Sequence, residues 1–189
     1  DKVIIMAKGA HHNEDRRRVT PYDIEADLHD ILARMKLDNI DLYVLHRDDP
    51  SVPVGPIVET LNRLKKEGLI TAFGGSNWTH KRIAEANEYA KKNGLTPFAV
   101  SSPHFSLAEM VEEPWPECVS IAGPKHLEAR KYYSEADAAV VPWSSVSAGF
   151  FSGKLTPEIA AVTEDPGLKF CARCYASRDN FKRLERAQE

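Results

Sequence analysis

Ile40-Asp41-Leu42-Tyr43-Val44-Leu45-His46 is the stretch whose reading decides the fold of this 189-residue chain. Residues 40 to 45 are mostly apolar and of strand length, and they stop at an imidazole. The run predicts a buried strand of the kind found in parallel sheets. On its N-terminal side, Val3 to Ala7 reads the same way, β-branched and buried on both faces, with Lys8 directly after it. Between the two, Thr20 can cap a helix with Pro21 in its first position and Asp23 near the exposed amides. Ile24, Leu28, Ile31, Leu32 and Met35 then recur at helical spacing.

The pattern repeats toward the C-terminus. A helix is predicted from about Pro56 to Glu67, with Ile57, Leu61 and Leu64 on one face and Gly68 as its stop. Leu69 to Phe73 read as a third strand closed by Gly74-Gly75-Ser76-Asn77. A helix from Thr79 to Asn93 follows, then a fourth strand at Phe98 to Ser101. After a proline-rich excursion (103–124) come a helix near 126–135 and a fifth strand at Ala138 to Trp143. Long loops are expected from Ser144 to Tyr175, before Ser177 opens a last helix carrying Phe181 and Leu184.

Five strands alternating with helices, with no Asn-Gly or Asp-Gly between neighbouring strands, imply parallel βαβ units. Doubly wound sheets and (β/α) barrels both fit. Both place ligands at the carboxyl ends of strands, where Lys8, His46, Ser76-Asn77, Ser101-Ser102 and Trp143-Ser144 fall. A dinucleotide-binding sheet would carry Gly-x-Gly-x-x-Gly after its first strand, and the chain has none there.

A formal charge of −3 excludes a generic basic nucleic-acid binder, and 42% hydrophobic with 28% charged residues is globular composition. Apolar runs of strand length predict no membrane span. Three cysteines, Cys118, Cys171 and Cys174, suggest no disulfide framework. The expected location is cytoplasmic. The opening Asp1-Lys2, without an initiator Met, suggests a piece of a longer chain.

From position alone, Lys8 is a group whose pKa a strand-end pocket can lower, or a lysine leaving the rim for water. His46 can orient a carbonyl oxygen or relay a proton, or be a satisfied core histidine. Cys171-Ala172-Arg173-Cys174 has metal or dithiol spacing, but two further ligands are wanting; packed loop cysteines are the simpler reading. His11-His12 also lacks partners, so no metal site is expected. Trp78, Phe105 and Trp115 either line an apolar pocket or anchor loops.

Four segments, in order, resemble the aldo-keto reductase family. Val3 to Lys8 resembles the strand with the catalytic lysine, and Ile40 to His46 the strand delivering the catalytic histidine. Gly68 to Asn77 resembles the segment G-x-I-R-x-x-G-V-S-N. Val141 to Ser145 with Gly149-Phe150-Phe151-Ser152-Gly153-Lys154 resembles the turn Y-S-P-L…G-L-L-x-G-K. The resemblance implies α/β architecture, an incomplete (β/α)8 TIM barrel of the NAD(P)-linked type over residues 1–189, with these strands as its third through seventh and the N- and C-terminal strands missing.

The resemblance also implies roles. Lys8 and His46 match two of the four catalytic positions. Ser76 and Asn77 match the pair that bonds the nicotinamide carboxamide, and Ser102 stands where the family usually has Gln. Trp143 matches the aromatic, usually Tyr, on which the nicotinamide stacks. Ser144, Ser145, Gly149, Phe151, Gly153 and Lys154 fall in the turn that wraps the pyrophosphate. The implied cofactor is NADP(H) or NAD(H), and the implied substrate a small-molecule carbonyl or sugar-like compound. The family's catalytic Tyr and Asp would lie upstream of Asp1, so the 189 residues alone are expected to be inactive. A non-catalytic, cofactor-binding or regulatory subunit is the alternative.

Overall fold

Strand follows helix along the computed structural model, which describes residues 3–136 and 138–189. The chain divides into two compact units, one comprising residues up to Ser102 with Glu135–Val141, the other Pro103–Ser134 with Pro142–Glu189.

In the first unit, β1 (Met6–Gly9), β2 (Ile40–Leu45), β3 (Ile70–Ser76), β4 (Val100–Ser102) and β5 (Ala139–Val140) form one sheet, ordered as in the sequence and parallel throughout. α1 (Pro21–Met35), α2 (Val54–Lys66) and α3 (His80–Lys92) are the crossovers. Sequential order with parallel pairing means each crossover returns the chain to the next strand position. It therefore leaves all strand C-termini on one side of the sheet. The core of this unit contains Ile24, Leu28, Tyr43, Val44, Leu45, Ile57, Leu61, Phe73, Ile83 and Phe98, all essentially inaccessible to solvent.

The start of α1 follows the cap chemistry read from the sequence, and α3 starts in the same way. The Thr20 and Thr79 side chains accept from Asp23 N and Arg82 N. Asp23, almost fully buried, also accepts from the Arg16 guanidinium at 2.7 Å through each oxygen and from the Thr20 hydroxyl. The Arg16 hydrogen bonds hold its carboxyl down at about 2. A depressed carboxyl contributes stability that is present above its unfolded value and lost as pH falls through its folded value. Arg16 is half exposed, which screens the pair. Asp23→Asn is accordingly expected to remove about 1–2 kcal/mol at neutral pH and to flatten the loss of stability from pH ~4 to ~2. Urea titrations across that range check this; parallel pH profiles for both proteins would contradict it.

Strand ends differ from the sequence expectation. Val3 and Ile4 precede β1 and are 80% and 77% exposed rather than buried on both faces. β3 continues through Gly74-Gly75-Ser76 because these residues pair with β4. A Cβ on Gly74 would stand 2.0 Å from the Val100 carbonyl oxygen, so glycine here is what lets two backbones approach. β5 is short, and Trp143 lies beyond it in an isolated bridge to His104.

The larger correction concerns residues 144–175. In place of long loops, the second unit contains a 3-10 segment (Ser147–Ser152), α5 (Pro157–Val162) and α6 (Pro166–Tyr175), followed by α7 (Arg178–Gln188). Thr156-Pro157 and Asp165-Pro166 are cap-plus-proline starts, with Thr156 and Asp165 accepting from Ile159 N and Leu168 N. Cys171 and Cys174 sit on helix α6, not in a loop. They pack with Ala108, Phe150, Leu155, Tyr175 and Leu184 into the core of this unit. Burial pushes both thiols up, which keeps them protonated and inert. Also in this unit is α4 (Leu127–Glu135), entered through a 3-10 turn at Pro124–His126. No helix among the described residues is long and apolar enough to cross a membrane.

Candidate active site

Parallel register brings Lys8, His46, Ser76, Asn77 and Ser102 to the carboxyl edge of the first unit. Lys8 lies within β1 opposite Val44, and His46 directly follows β2, its amide donating to Gly9 O at 2.7 Å. Gly9 is required there because a Cβ would stand 1.9 Å from the Tyr43 hydroxyl, which is buried and donates to Ile24 O. Ser76 ends β3 opposite Ser102 of β4.

Lys8 Nζ donates to Ser76 Oγ at 3.5 Å, and Ser76 Oγ donates to Ser102 O at 3.0 Å. Asn77 adopts the left-handed φ of 55° that Asn tolerates better than most residues. This turns its amide N to Ser102 O at 3.2 Å and its Nδ2 to Ser76 Oγ at 3.4 Å. Ser76, Asn77 and Ser102 are all buried, so Lys8 is tied through hydrogen bonds to the three expected carboxamide contacts.

Burial, then Arg47, lowers the Lys8 ammonium from its ordinary value. His46 is pushed down to about 4, first by burial and then by His11, Lys8, Arg47 and His12. The His11 ring stands 4.5 Å from that of His46, and His12 stacks on His11. His46 Nδ1 is buried and makes no hydrogen bond among the described residues. At neutral pH the imidazole is therefore uncharged, able to donate through one nitrogen and accept through the other. An imidazole NMR signal for His46 is expected to stay unshifted from pH 8 down to about 5; titration near the ordinary histidine value would contradict this.

Trp78 anchors rather than lines a pocket. It is fully buried, its Nε1 donates to Arg47 O at 3.0 Å, and its ring packs on Phe98 at 5.2 Å. It thereby holds the segment after His46 against the segment after β3.

The other expected residues belong to the second unit. Trp143 is half-buried, with Trp115 stacked on it at 5.2 Å and 28° and His104 tilted against it at 5.0 Å. Phe105 and Trp115 are each 40% exposed, as rim residues would be. Ser144 (φ 54°) begins a tight turn that reverses through Ser147, Ala148 and Gly149, all left-handed. The Ser144 carbonyl accepts from Ser147 N at 2.8 Å and its Oγ from Ala148 N at 3.2 Å. Ser145 and Lys154 are exposed, Phe151 and Gly153 half-buried. Trp143 Nε1 and the fully buried Ser147 Oγ make no hydrogen bond among the described residues, and such orphaned groups call for a partner.

Sequence reasoning does not reach His104 and Tyr175, both fully buried in this unit and hydrogen-bonded to each other at 3.2 Å. The available signal was a histidine two residues beyond the strand-end pair Ser101-Ser102. Tyr175 carried none while its segment read as loop.

The sequence model of the Aldo/keto reductase family matches residues 1–189. The chain is 29% identical over 119 residues to aldo-keto reductase NECHADRAFT_45914 of Fusarium vanettenii, covering 62% of this chain and 28% of that protein. It is 34% identical over 77 residues to norsolorinic acid reductase of Aspergillus flavus, covering 41% and 20%. It is 25% identical over 140 residues to the uncharacterized oxidoreductase YrpG of Bacillus subtilis, covering 74% and 39%. The matches thus span well under half the length of these relatives.

Proposed function

Because the chain belongs to the aldo/keto reductase family, whose named relatives include reductases, we propose that the whole protein is an NAD(P)H-dependent reductase of a small carbonyl or sugar-like compound. On this reading the 189 residues are the central part of a (β/α)8 barrel, and the protein is cytoplasmic. The observation that carries it is the strand-end cluster: a half-buried lysine bonded to Ser76, beside a half-buried neutral histidine.

Reduction adds hydride to the carbonyl carbon and a proton to its oxygen, and negative charge builds on that oxygen on the way. His46 is neutral and keeps a proton on one ring nitrogen, through which it can donate a hydrogen bond to the oxygen. Lys8 supplies positive charge in a partly desolvated setting, where it acts more strongly than in water. It favours the ionised form of a tyrosine proton donor contributed from outside these residues.

Hydride is supplied by bound NADP(H) or NAD(H). Asn77 offers both a donor and an acceptor to a carboxamide, with Ser76 and Ser102 beside it. In the second unit Trp143 offers an aromatic face, the turn from Ser144 through Ser145, Gly149, Phe151 and Gly153 offers backbone amides, and Lys154 offers charge to phosphate. The orphaned Trp143 Nε1 and Ser147 Oγ support this fit. Trp115 already stacks on Trp143, so a nicotinamide ring takes the remaining face or displaces Trp115.

The chain by itself is expected to turn over no substrate, because on this reading the proton-donating Tyr and its Asp partner come from outside these residues. Incubation of the 189 residues with NADPH or NADH and a panel of aldehydes tests this. Sustained cofactor oxidation would show that Lys8 and His46 suffice.

A further inference from the structure

Resting on the cofactor reading above, we propose that His104 and Tyr175 are a positioning pair: a buried hydrogen-bonded chain through them fixes the His104 ring against which the Trp143 indole is set in the geometry that a nicotinamide cofactor requires.

Hydrogen bonds join Tyr175, His104 and Ser120 in this chain. The Ser106 hydroxyl donates to Ala108 O at 2.6 Å, so its proton is not offered to His104. His104 Nε2 lies 3.2 Å from the Tyr175 hydroxyl and 3.4 Å from Ser106 Oγ. With Nε2 accepting, neutral His104 carries its proton on Nδ1 and donates to Ser120 Oγ at 2.9 Å, which also accepts from Ala122 N at 3.1 Å. The chain runs from Tyr175 through His104 to Ser120 and Ala122 N. Such chains strengthen cooperatively and fail together. Burial pushes His104 down to about 4, so the neutral form needed for acceptance is the one present near pH 7.

Trp143 is set against His104. Trp143 N donates to Pro103 O at 3.1 Å, next to His104, whose ring lies 5.0 Å from the indole. Tyr175, the last residue of α6, is hydrogen-bonded to the His104 ring. Neither His104 nor Tyr175 reaches solvent, so neither is a catalytic residue. Leu and Phe could fill their space without any polar group to satisfy. What the polar pair adds is a fixed orientation for the indole face.

Tyr175→Phe deletes one hydroxyl and keeps the ring. In the whole protein it is expected to raise the Kd for NADPH, read by tryptophan fluorescence, about tenfold, the size of one broken buried hydrogen bond. KM for the cofactor should rise in step, with kcat within about twofold of wild type. Ser120→Ala, which removes the side-chain partner of His104 Nδ1 and is conservative in size, should give a smaller rise in the same direction. His104→Gln, which retains an acceptor, should bind more tightly than His104→Leu. Should His104→Leu not fold, Tyr175→Phe and Ser120→Ala carry the test. Wild-type binding with unchanged affinity in both of these variants overturns the pair's role even if melting temperature falls, since that pattern is purely structural. A wild-type protein that binds neither NADPH nor NADH overturns the cofactor reading and the pair together.

Discussion

Replacing Lys8 with Met, or His46 with Phe, is expected to lower kcat of the whole protein by about 10²–10⁴-fold, the range lost when a positioned acid–base group is removed. Neither change should unfold the chain. His46 contributes its amide, not its ring, to the bond with Gly9 O, and any residue retains that bond. Lys8 Nζ makes a long 3.5 Å contact to Ser76, and Ser76 keeps Ser102 O and Asn77 as partners without it. Steady-state kinetics with a fixed carbonyl substrate measure the effect. Because the two groups act on the same developing charge, the double variant should be scarcely worse than the single ones. A His46→Phe enzyme with wild-type kcat would remove the imidazole from the mechanism. Multiplying losses in the double variant would mean that the two residues act in separate steps.

Gly74→Ala is expected to be the most damaging small substitution in the sheet. The added methyl would meet the Val100 carbonyl oxygen at 2.0 Å and the Val100 Cγ2 at 2.5 Å. The first is backbone and has no rotamer to yield, so β3 and β4 must separate where Gly74 pairs with Val100. Overpacking of this kind costs about 3 kcal/mol or more, which for a chain of this size lowers Tm by roughly 6–12 °C. Two residues further along, Ser76 pairs with Ser102, so cofactor affinity should fall as well. Gly75→Ala provides the comparison. Its methyl would press on the Trp78 indole at 2.7 Å, a buried side chain instead of a neighbouring strand. Circular dichroism melts of the two variants decide it; an unchanged Tm for Gly74→Ala would contradict the close approach.

The two units differ in how plainly their sequences announce them. In the first, each signal acts over a few residues. Thr20-Pro21 starts α1 where cap chemistry says it should, and the apolar run at 40 to 45 is β2 to the residue. Where the boundaries move, a partner strand moves them: Gly74-Gly75 look like a terminator in isolation and become strand because β4 lies alongside. In the second unit the determining contacts are long-range. Cys171 and Cys174 are helical and buried because Phe150, Leu155 and Leu184 pack with them, and periodicity over residues 144–175 is interrupted by two prolines and three glycines. The site follows the same division. Lys8, His46, Ser76 and Asn77 are legible as polar residues ending apolar strands. The bonds between His104 and Tyr175 depend on a tertiary contact over 71 positions, which no local pattern encodes.

The central claim is that Lys8 and His46 serve carbonyl reduction by a nicotinamide cofactor, and its most direct test is stoichiometric. The whole protein is incubated with NADPH or NADH and an aldehyde panel, and cofactor oxidised is compared with alcohol formed. The account predicts one alcohol per cofactor with at least one pairing, and loss of both signals together in Lys8→Met. No alcohol from any pairing, or alcohol formation that survives Lys8→Met and His46→Phe undiminished, would contradict it.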